Sequence, residues 1–292
     1  MKAASVAKNN PSRALGLLAG AQIAIGAAAI FARFALTAAG PRSVSALRLG
    51  IAAVPVVVLA ALRGRYARFD GATERRLQFA GLALAVHFGT WIASLQHASA
   101  AVSTLLVCST PVFTEAWSFA RTRRARPLVL ASFALAAAGV AIVAGVPSRS
   151  ETPLGIALAL CGAAAMAVYL ILVRASDARY TTLAVVGRTY PIAAIALACA
   201  ALVAHDGFPG PHASGAWAGI LALALVSQLF GHTAINAAVR VLSATFVAMT
   251  VLLEPIVAAI GAAIVFGEHP APFTAVGARR HRPRPLSSRR GG

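Results

Sequence analysis

Long apolar runs, separated by short polar breaks, constrain this chain more than any other feature. A bilayer core of about 30 Å is crossed by roughly 20 apolar residues in a helix. Irregular backbone and open strand edges are not stable in lipid, so such runs favour helices. The sequence has nine of them, at 14–37, 43–62, 76–97, 101–121, 127–146, 153–174, 181–204, 214–236 and 244–266. The pattern predicts an all-α, polytopic membrane helix bundle with nine clear transmembrane helices.

Composition and charge exclude a water-soluble enzyme. Only 12% of the 292 residues are charged, whereas ordinary soluble chains have roughly 25%. The net charge of +18 would suggest nucleic-acid binding in a soluble protein, but the basic residues cluster between the apolar runs. Before the C-terminal tail, fifteen Lys and Arg residues fall on one side of the predicted topology and two, Arg42 and Arg149, on the other. The positive-inside rule therefore predicts a multi-pass protein of the inner or plasma membrane, with residues 1–13 cytoplasmic and no nucleic-acid partner.

An internal repeat relates the fourth run to the ninth with an offset of 144 residues. The stretch from Ser99 to Pro111 and the stretch from Ser243 to Pro255 each place a proline twelve residues after a serine, with a leucine pair between them. Because the two runs are an odd number of spans apart, the two copies enter the membrane from opposite sides. This is the inverted repeat of many secondary transporters.

The repeated residues, with three further segments, resemble the EamA family of the drug/metabolite transporter superfamily. The further segments are Ala46-Leu47-Arg48, Leu158-Ala159-Leu160 through Ala167-Val168-Tyr169, and Leu252-Leu253-Glu254-Pro255 followed by Phe266-Gly267-Glu268. The resemblance implies ten helices as five plus five, with 14–146 as the first repeat (helices 1–5) and 153–278 as an incomplete second repeat (helices 6–9). It also implies transport of small metabolites, such as amino acids or related compounds, usually outward.

The tenth helix that the resemblance implies is missing from the sequence. Its window, 271–290, begins with apolar residues and then turns into a stretch rich in Arg and Pro over 279–292. Each Arg at a helix centre costs about 2.5–3.5 kcal/mol on insertion scales, so this stretch should not insert. We expect a basic disordered tail that arises from a frameshift or truncation. The alternative is a natural tail that binds anionic lipid headgroups.

Two symmetry-related prolines, Pro111 and Pro255, lie near the middle of their runs. Each removes one backbone hydrogen bond, which frees the carbonyls of Val107 and Val251 at membrane depth. Such backbone is tolerated only where protein or a water-filled cavity receives it. The prolines therefore indicate a central site or, alternatively, two packing kinks.

Four charged residues inside the runs are candidates for binding or coupling. Glu254 lies roughly 16 Å from either end of its run, at 1.5 Å per residue. A carboxylate at this depth should face the bundle interior, paired or protonated, which makes it a candidate for proton coupling; a static hydrogen bond is the alternative. Glu115, in the fourth run, is expected to pair with Arg188. For Arg48 and Arg188, structural pairing or snorkelling and contact with an anionic substrate both stay open.

A polar stripe lies on the eighth run, where Gln228, His232 and Asn236 recur every four residues. Lipid offers such a stripe no partners, so it should face a neighbouring helix or a pathway. His87 and Trp91 form a similar pair in the third run, with hydrogen-bonded packing as the alternative to a cavity wall. The histidines form no metal-like constellation with Cys or carboxylates, so neither a metal site nor a cofactor is expected.

Together these features predict a transporter that moves a small-molecule substrate through a cavity lined by helices 3, 4, 8 and 9. The sequence has no GxxxxGK[ST] loop, so the energy should come from a gradient rather than ATP. The sequence has neither a nucleophile elbow nor a pair of intramembrane Asp residues, so it does not indicate an enzyme. A membrane receptor or accessory protein, or a non-functional truncated transporter, is the alternative. Proton coupling and a homodimer are left open.

Overall fold

The fold is all-helical and without strands in the part of the chain that the computed structural model describes. Seven helices among these residues are long and apolar enough to cross a membrane. The seven are Leu15–Ala35, Pro41–Leu62, Gly71–Ser94, Pro153–Arg174, Thr182–Val203, Ser214–Val239 and Ala244–Phe266. The described residues are 11–63, 68–124, 126, 127, 131, 134, 138, 152–176 and 180–267.

The helices of the first half are α1 (Pro11–Gly26), α2 (Ala28–Ala35), α3 (Pro41–Leu62), α4 (Gly71–Ser94), α5 (Ala100–Val107) and α6 (Thr110–Thr122). Those of the second half are α7 (Pro153–Arg174), α8 (Thr182–Val203), α9 (Ser214–Ala222), α10 (Thr233–Val239), α11 (Ala244–Thr250) and α12 (Glu254–Phe266). A π-helical segment, Leu223–His232, joins α9 to α10, and a 3-10 turn, Val251–Leu253, joins α11 to α12.

The predicted count of nine transmembrane helices is not confirmed. The fourth run forms two helices, α5 and α6, which are interrupted at Cys108 and Ser109. Neither piece is long enough to span a bilayer core alone. The fifth run lies outside the described residues except at isolated positions. Residues 1–10 and the tail at 279–292 lie wholly outside them.

The two serines that mark the internal repeat are helix N-caps. The Ser99 side chain accepts a hydrogen bond from the backbone N–H of Val102 at the start of α5. The Ser243 side chain accepts one from the N–H of Phe246 at the start of α11. A serine in this position satisfies a backbone donor that has no partner within the helix. The repeat therefore conserves a local structural signal, which fixes where each helix begins.

Both repeat prolines follow a break in their helix, as the sequence predicts. Pro111 is the second residue of α6, and Pro255 is the second residue of α12. The Val107 carbonyl accepts a hydrogen bond from the Thr110 hydroxyl at 3.0 Å. The Val251 carbonyl accepts one from the backbone N–H that begins α12. Each freed carbonyl thus finds a donor inside the protein, as membrane depth requires.

Contacts between loops sort the helix ends into two groups. At one end, Arg42 bonds the carboxylate of Asp206 with an N–O distance of 2.9 Å. At the other, which we call the basic end, Arg174 donates to the carbonyl oxygen of Arg240 at 2.7 Å. Consecutive spans alternate between these ends, and the pairs α5 with α6, α9 with α10 and α11 with α12 each form one span. The serine caps of α5 and α11 therefore lie at opposite ends of the bundle, as an inverted repeat requires.

Glycines allow several helix pairs to approach closely. A Cβ atom added at Gly219 of α9 would lie 2.5 Å from the carbonyl oxygen of Phe31 in α2. One added at Gly81 of α4 would lie 2.7 Å from the side chain of Ile192 in α8. Because lipid tails are as apolar as the side chains, helices in membranes associate through close packing of this kind.

Cysteine labelling tests the predicted orientation. In a variant without the three native cysteines, we introduce either Arg121→Cys at the basic end or His212→Cys at the opposite end. A membrane-impermeant maleimide should label only His212→Cys in intact cells, because the positive-inside rule places the basic end in the cytoplasm. Both positions should react after permeabilisation. Labelling of Arg121→Cys alone in intact cells would show that the orientation is the opposite of the predicted one.

Candidate substrate site

A small cavity lies where the two broken helices meet. Its volume is about 30 Å³, enough for about two water molecules. The residues that line it include His87, Trp91, Cys108, Thr110, His232 and Glu254. The predicted third, fourth, eighth and ninth runs all contribute, and the first and sixth add Ile25 and Met166. Small-molecule sites are usually ten or more times larger, so the cavity would have to widen to hold a small molecule.

Glu254 connects the two helix breaks across the cavity. It is buried at the start of α12, and its Oε2 atom lies 3.7 Å from the Cys108 thiol in the break between α5 and α6. Among the described residues, the carboxyl group makes no other side-chain hydrogen bond. A thiol is a weak donor, so most of the hydrogen-bonding capacity of this carboxyl group stays unused.

Arg48 lies wholly inside the bundle and has no hydrogen-bonded partner in the part of the chain that the structure describes. Its side chain is 0% exposed, and none of its three guanidinium nitrogens makes a hydrogen bond to any described residue. The guanidinium carbon lies 4.0 Å from the centre of the Phe88 ring and 5.9 Å from that of Trp91. Aromatic faces attract a cation but leave its N–H groups free. The structure therefore excludes snorkelling and a hydrogen-bonded ion pair for Arg48.

The predicted pair of Glu115 with Arg188 is wrong. The Nε atom of Arg188 donates to Oε1 of Glu74 at 2.8 Å, because α8 packs beside α4 and Glu74 lies in the first turn of α4. Glu115 accepts from the Nε and Nη2 atoms of Arg126 at 3.1 and 2.6 Å. Neither Glu115 nor Arg188 lines the cavity, so both belong to ion pairs outside it.

The polar stripe of the eighth run faces inward, but its members have different environments. The Asn236 Oδ1 atom accepts a hydrogen bond from the Tyr169 hydroxyl at 2.6 Å, which ties α10 to α7. Gln228 and His232 lie in the π-helical segment. Neither polar side-chain atom of Gln228, nor the Nδ1 atom of His232, bonds a described residue. Asn236 is thus a packing residue, whereas the other two have unused polar atoms.

His87 and Trp91 form one wall of the cavity. The Nδ1 atom of His87 lies 2.9 Å from the carbonyl oxygen of Gly162, so this histidine also ties α4 to α7. Its ring lies parallel to that of Trp91, with 6.4 Å between centroids. Pro111 and Pro255 do not line the cavity themselves; they position the residues that do.

Sequence comparison identifies the fold to which this site belongs. The model of the EamA-like transporter family matches residues 12–145 and 153–279. The chain belongs to the EamA-like transporter family. A crystal structure, described as that of a protein, superposes on the chain with a TM-score of 0.72. The superposition covers 92% of this chain and 94% of the other, and the two sequences are 18% identical. This likeness shows a shared fold. No curated protein sequence matches the chain significantly.

Sequence reasoning missed several residues that the EamA fold brings to the site. Phe88 and Cys108 line the cavity, and the hydroxyls of Tyr190 and Thr233 hydrogen-bond near the polar stripe at 3.2 Å. A tyrosine hydroxyl within a membrane needs a partner, so Tyr169 and Tyr190 carried a usable signal. The π-helical segment, Leu223–His232, carried no comparable signal.

Proposed function

We propose that this EamA-like protein exports, or exchanges, a small metabolite such as an amino acid or a related compound. Transport proceeds by gradient-driven alternating access. The observation that carries the proposal is the small cavity between the two helix breaks, with the buried carboxyl group of Glu254 in its wall. Broken helices at the repeat interface are where secondary transporters bind their substrates.

The two repeats contact each other at both ends of the bundle. At the basic end, the Nη2 atom of Arg126 donates to the Thr245 hydroxyl at 3.2 Å, which joins the loop after α6 to α11. At the opposite end, Arg42 pairs with Asp206. A rocking motion of one repeat against the other would break one of these contacts while the other persists. Such a motion exposes a central site to one side at a time.

Flux measurements separate the proposed transporter from the alternatives. The purified chain is reconstituted in liposomes loaded with the small-molecule fraction of a cell extract, and the released compounds are identified by mass spectrometry. A transporter releases particular compounds faster than empty liposomes do. A receptor binds compounds without releasing them, and a damaged copy does neither. Absence of any protein-dependent release would refute the proposal.

Replacement of Glu254 by glutamine tests proton coupling. Glutamine keeps the size and hydrogen-bonding shape of the side chain but cannot titrate. If Glu254 binds and releases the coupled proton, Glu254→Gln should insert at normal levels and lose the pH dependence of flux. Glu74→Gln, which changes a paired carboxylate outside the cavity wall, should retain it. Unchanged pH dependence in Glu254→Gln would refute the coupling role.

A further inference from the structure

The environment of Arg48 differs from that of the arginines at the ends of the bundle. Arg42, Arg126 and Arg188 are partly exposed, and each bonds a carboxylate. Arg48 is fully buried, and its guanidinium bonds no described residue. A charged group without a partner is expensive at membrane depth, so one that is retained marks a functional site by default.

Other unused polar atoms lie close to Arg48. The ring of Phe88, on which Arg48 stacks, has its centroid 5.0 Å from that of His232, and the two rings are edge to face. Trp91, the second ring beside Arg48, has an indole N–H without a partner among the described residues. Gln228, in the same π-helical segment as His232, has a buried side-chain amide without a hydrogen bond of good geometry to a described residue. These groups supply N–H donors in one region of the bundle, and a ligand with acceptor atoms would satisfy them.

We infer that the transported solute carries a carboxylate group and that Arg48 binds this group when the cavity widens. The inference rests on the proposed function. A guanidinium donates two parallel hydrogen bonds to a carboxylate, which fixes the orientation of the ligand. Phe88 and Trp91 both contact Arg48 and line the cavity. A single layer of side chains therefore separates Arg48 from the cavity that must widen.

The buried charge fits a single carboxylate better than a phosphate. Among the described residues, Arg48 is the one Lys or Arg side chain that is buried. A phosphate monoester carries a charge of about −1.5 to −2 at neutral pH and needs more than one cation. The nearby carboxyl group of Glu254 would repel the excess negative charge. One guanidinium neutralises one carboxylate.

The aromatic platform also positions the guanidinium of Arg48. A guanidinium is more weakly hydrated than an ammonium and stacks on aromatic faces, so Phe88 and Trp91 hold Arg48 in place when no ligand is bound. Its N–H groups donate to no acceptor among the described residues. A carboxylate therefore binds without first displacing a protein acceptor. A lysine has no planar face for this stacking and offers no bidentate fork.

The liposome release experiment tests the inference with the small-molecule fraction of a cell extract as the probe. We expect that every compound released by the wild-type protein carries a carboxylate. For each such compound, the corresponding primary amide should be released at least tenfold more slowly. Release of neutral or cationic compounds at comparable rates would overturn the inference while the proposed function stands. If the protein releases no compound, the proposed function itself fails.

Variants of Arg48 separate binding from a structural role. Arg48→Lys keeps the positive charge, and we expect it to raise KM for the carboxylate compounds at least tenfold and to leave KM for their amides unchanged. Arg48→Gln should remove the preference for carboxylate over amide. Arg188→Gln, which alters an arginine that bonds Glu74 away from the cavity, should keep the preference. Equal loss for carboxylates and amides in Arg48→Lys would indicate a structural role and contradict the inference.

Discussion

Replacement of Gly219 by alanine is expected to lower the melting temperature of the detergent-purified protein by about 4–8 °C, from an overpacking cost of about 2 kcal/mol. The added Cβ atom would lie 2.5 Å from the carbonyl oxygen of Phe31 and 2.8 Å from the backbone nitrogen of Ala35. Backbone atoms cannot rotate away as a side chain can. The α9 helix must therefore move away from α2, which loses the close packing that holds the two helices together.

Gly215, in the same helix, provides a matched control. A Cβ atom added there has no other atom within 4 Å. Because alanine favours a helix over glycine by up to about 1 kcal/mol, Gly215→Ala should leave the melting temperature unchanged or raise it slightly. Thermal unfolding followed by tryptophan fluorescence measures both variants. Equal melting temperatures would show that α9 and α2 do not pack as described.

The sequence predicted the helix breaks because their causes are local. A serine cap and a proline act on the backbone of their own helix. Ser99 and Ser243 therefore mark helix starts, and Pro111 and Pro255 follow breaks, whatever the neighbouring helices are. The repeat offset then related the two breaks to each other, and the meeting of both at one cavity follows from that symmetry.

The partners of charged residues could not be predicted in the same way. Depth along a helix follows from 1.5 Å per residue, and it gave Glu115 and Arg188 similar depths. Which side chains meet depends on the rotation of each helix about its axis and on its neighbours. Arg188 faces Glu74 because α8 lies against α4. Arg126, four residues beyond the end of α6, bonds back to Glu115.

The polar stripe shows a second limit of sequence patterns. The spacing of Gln228, His232 and Asn236 was interpreted with 3.6 residues per turn. The first two lie in a π-helical segment, whose wider turns change the direction of every later side chain. Asn236 bonds Tyr169, while Gln228 and His232 have polar atoms without a hydrogen bond to any described residue. A π-helical segment often occurs at a functional site, and this one lies beside the cavity.

The ion pair of Glu115 and Arg126 should show unequal costs when either partner is removed. The Glu115 side chain is 3% exposed, whereas that of Arg126 is 45% exposed. Arg126→Ala leaves a buried carboxylate without its cation, and we expect it to lower the free energy of unfolding by about 2–3 kcal/mol, below the 3–5 kcal/mol of a fully buried pair. Glu115→Gln leaves an arginine that can turn to water, and should cost about 1 kcal/mol or less. Chemical unfolding in mixed micelles measures both.

The double variant distinguishes the buried charge from the other bonds that Arg126 makes. If the unpaired carboxylate causes the loss, Glu115→Gln combined with Arg126→Ala should be more stable than Arg126→Ala alone. Arg126 also donates to Thr245 in the second repeat, and Thr245→Val removes only that hydrogen bond. A cost of Thr245→Val close to that of Arg126→Ala would assign the effect to the contact between the repeats. The buried charge of Glu115 would then not explain why Arg126→Ala lowers the free energy of unfolding more than Glu115→Gln does.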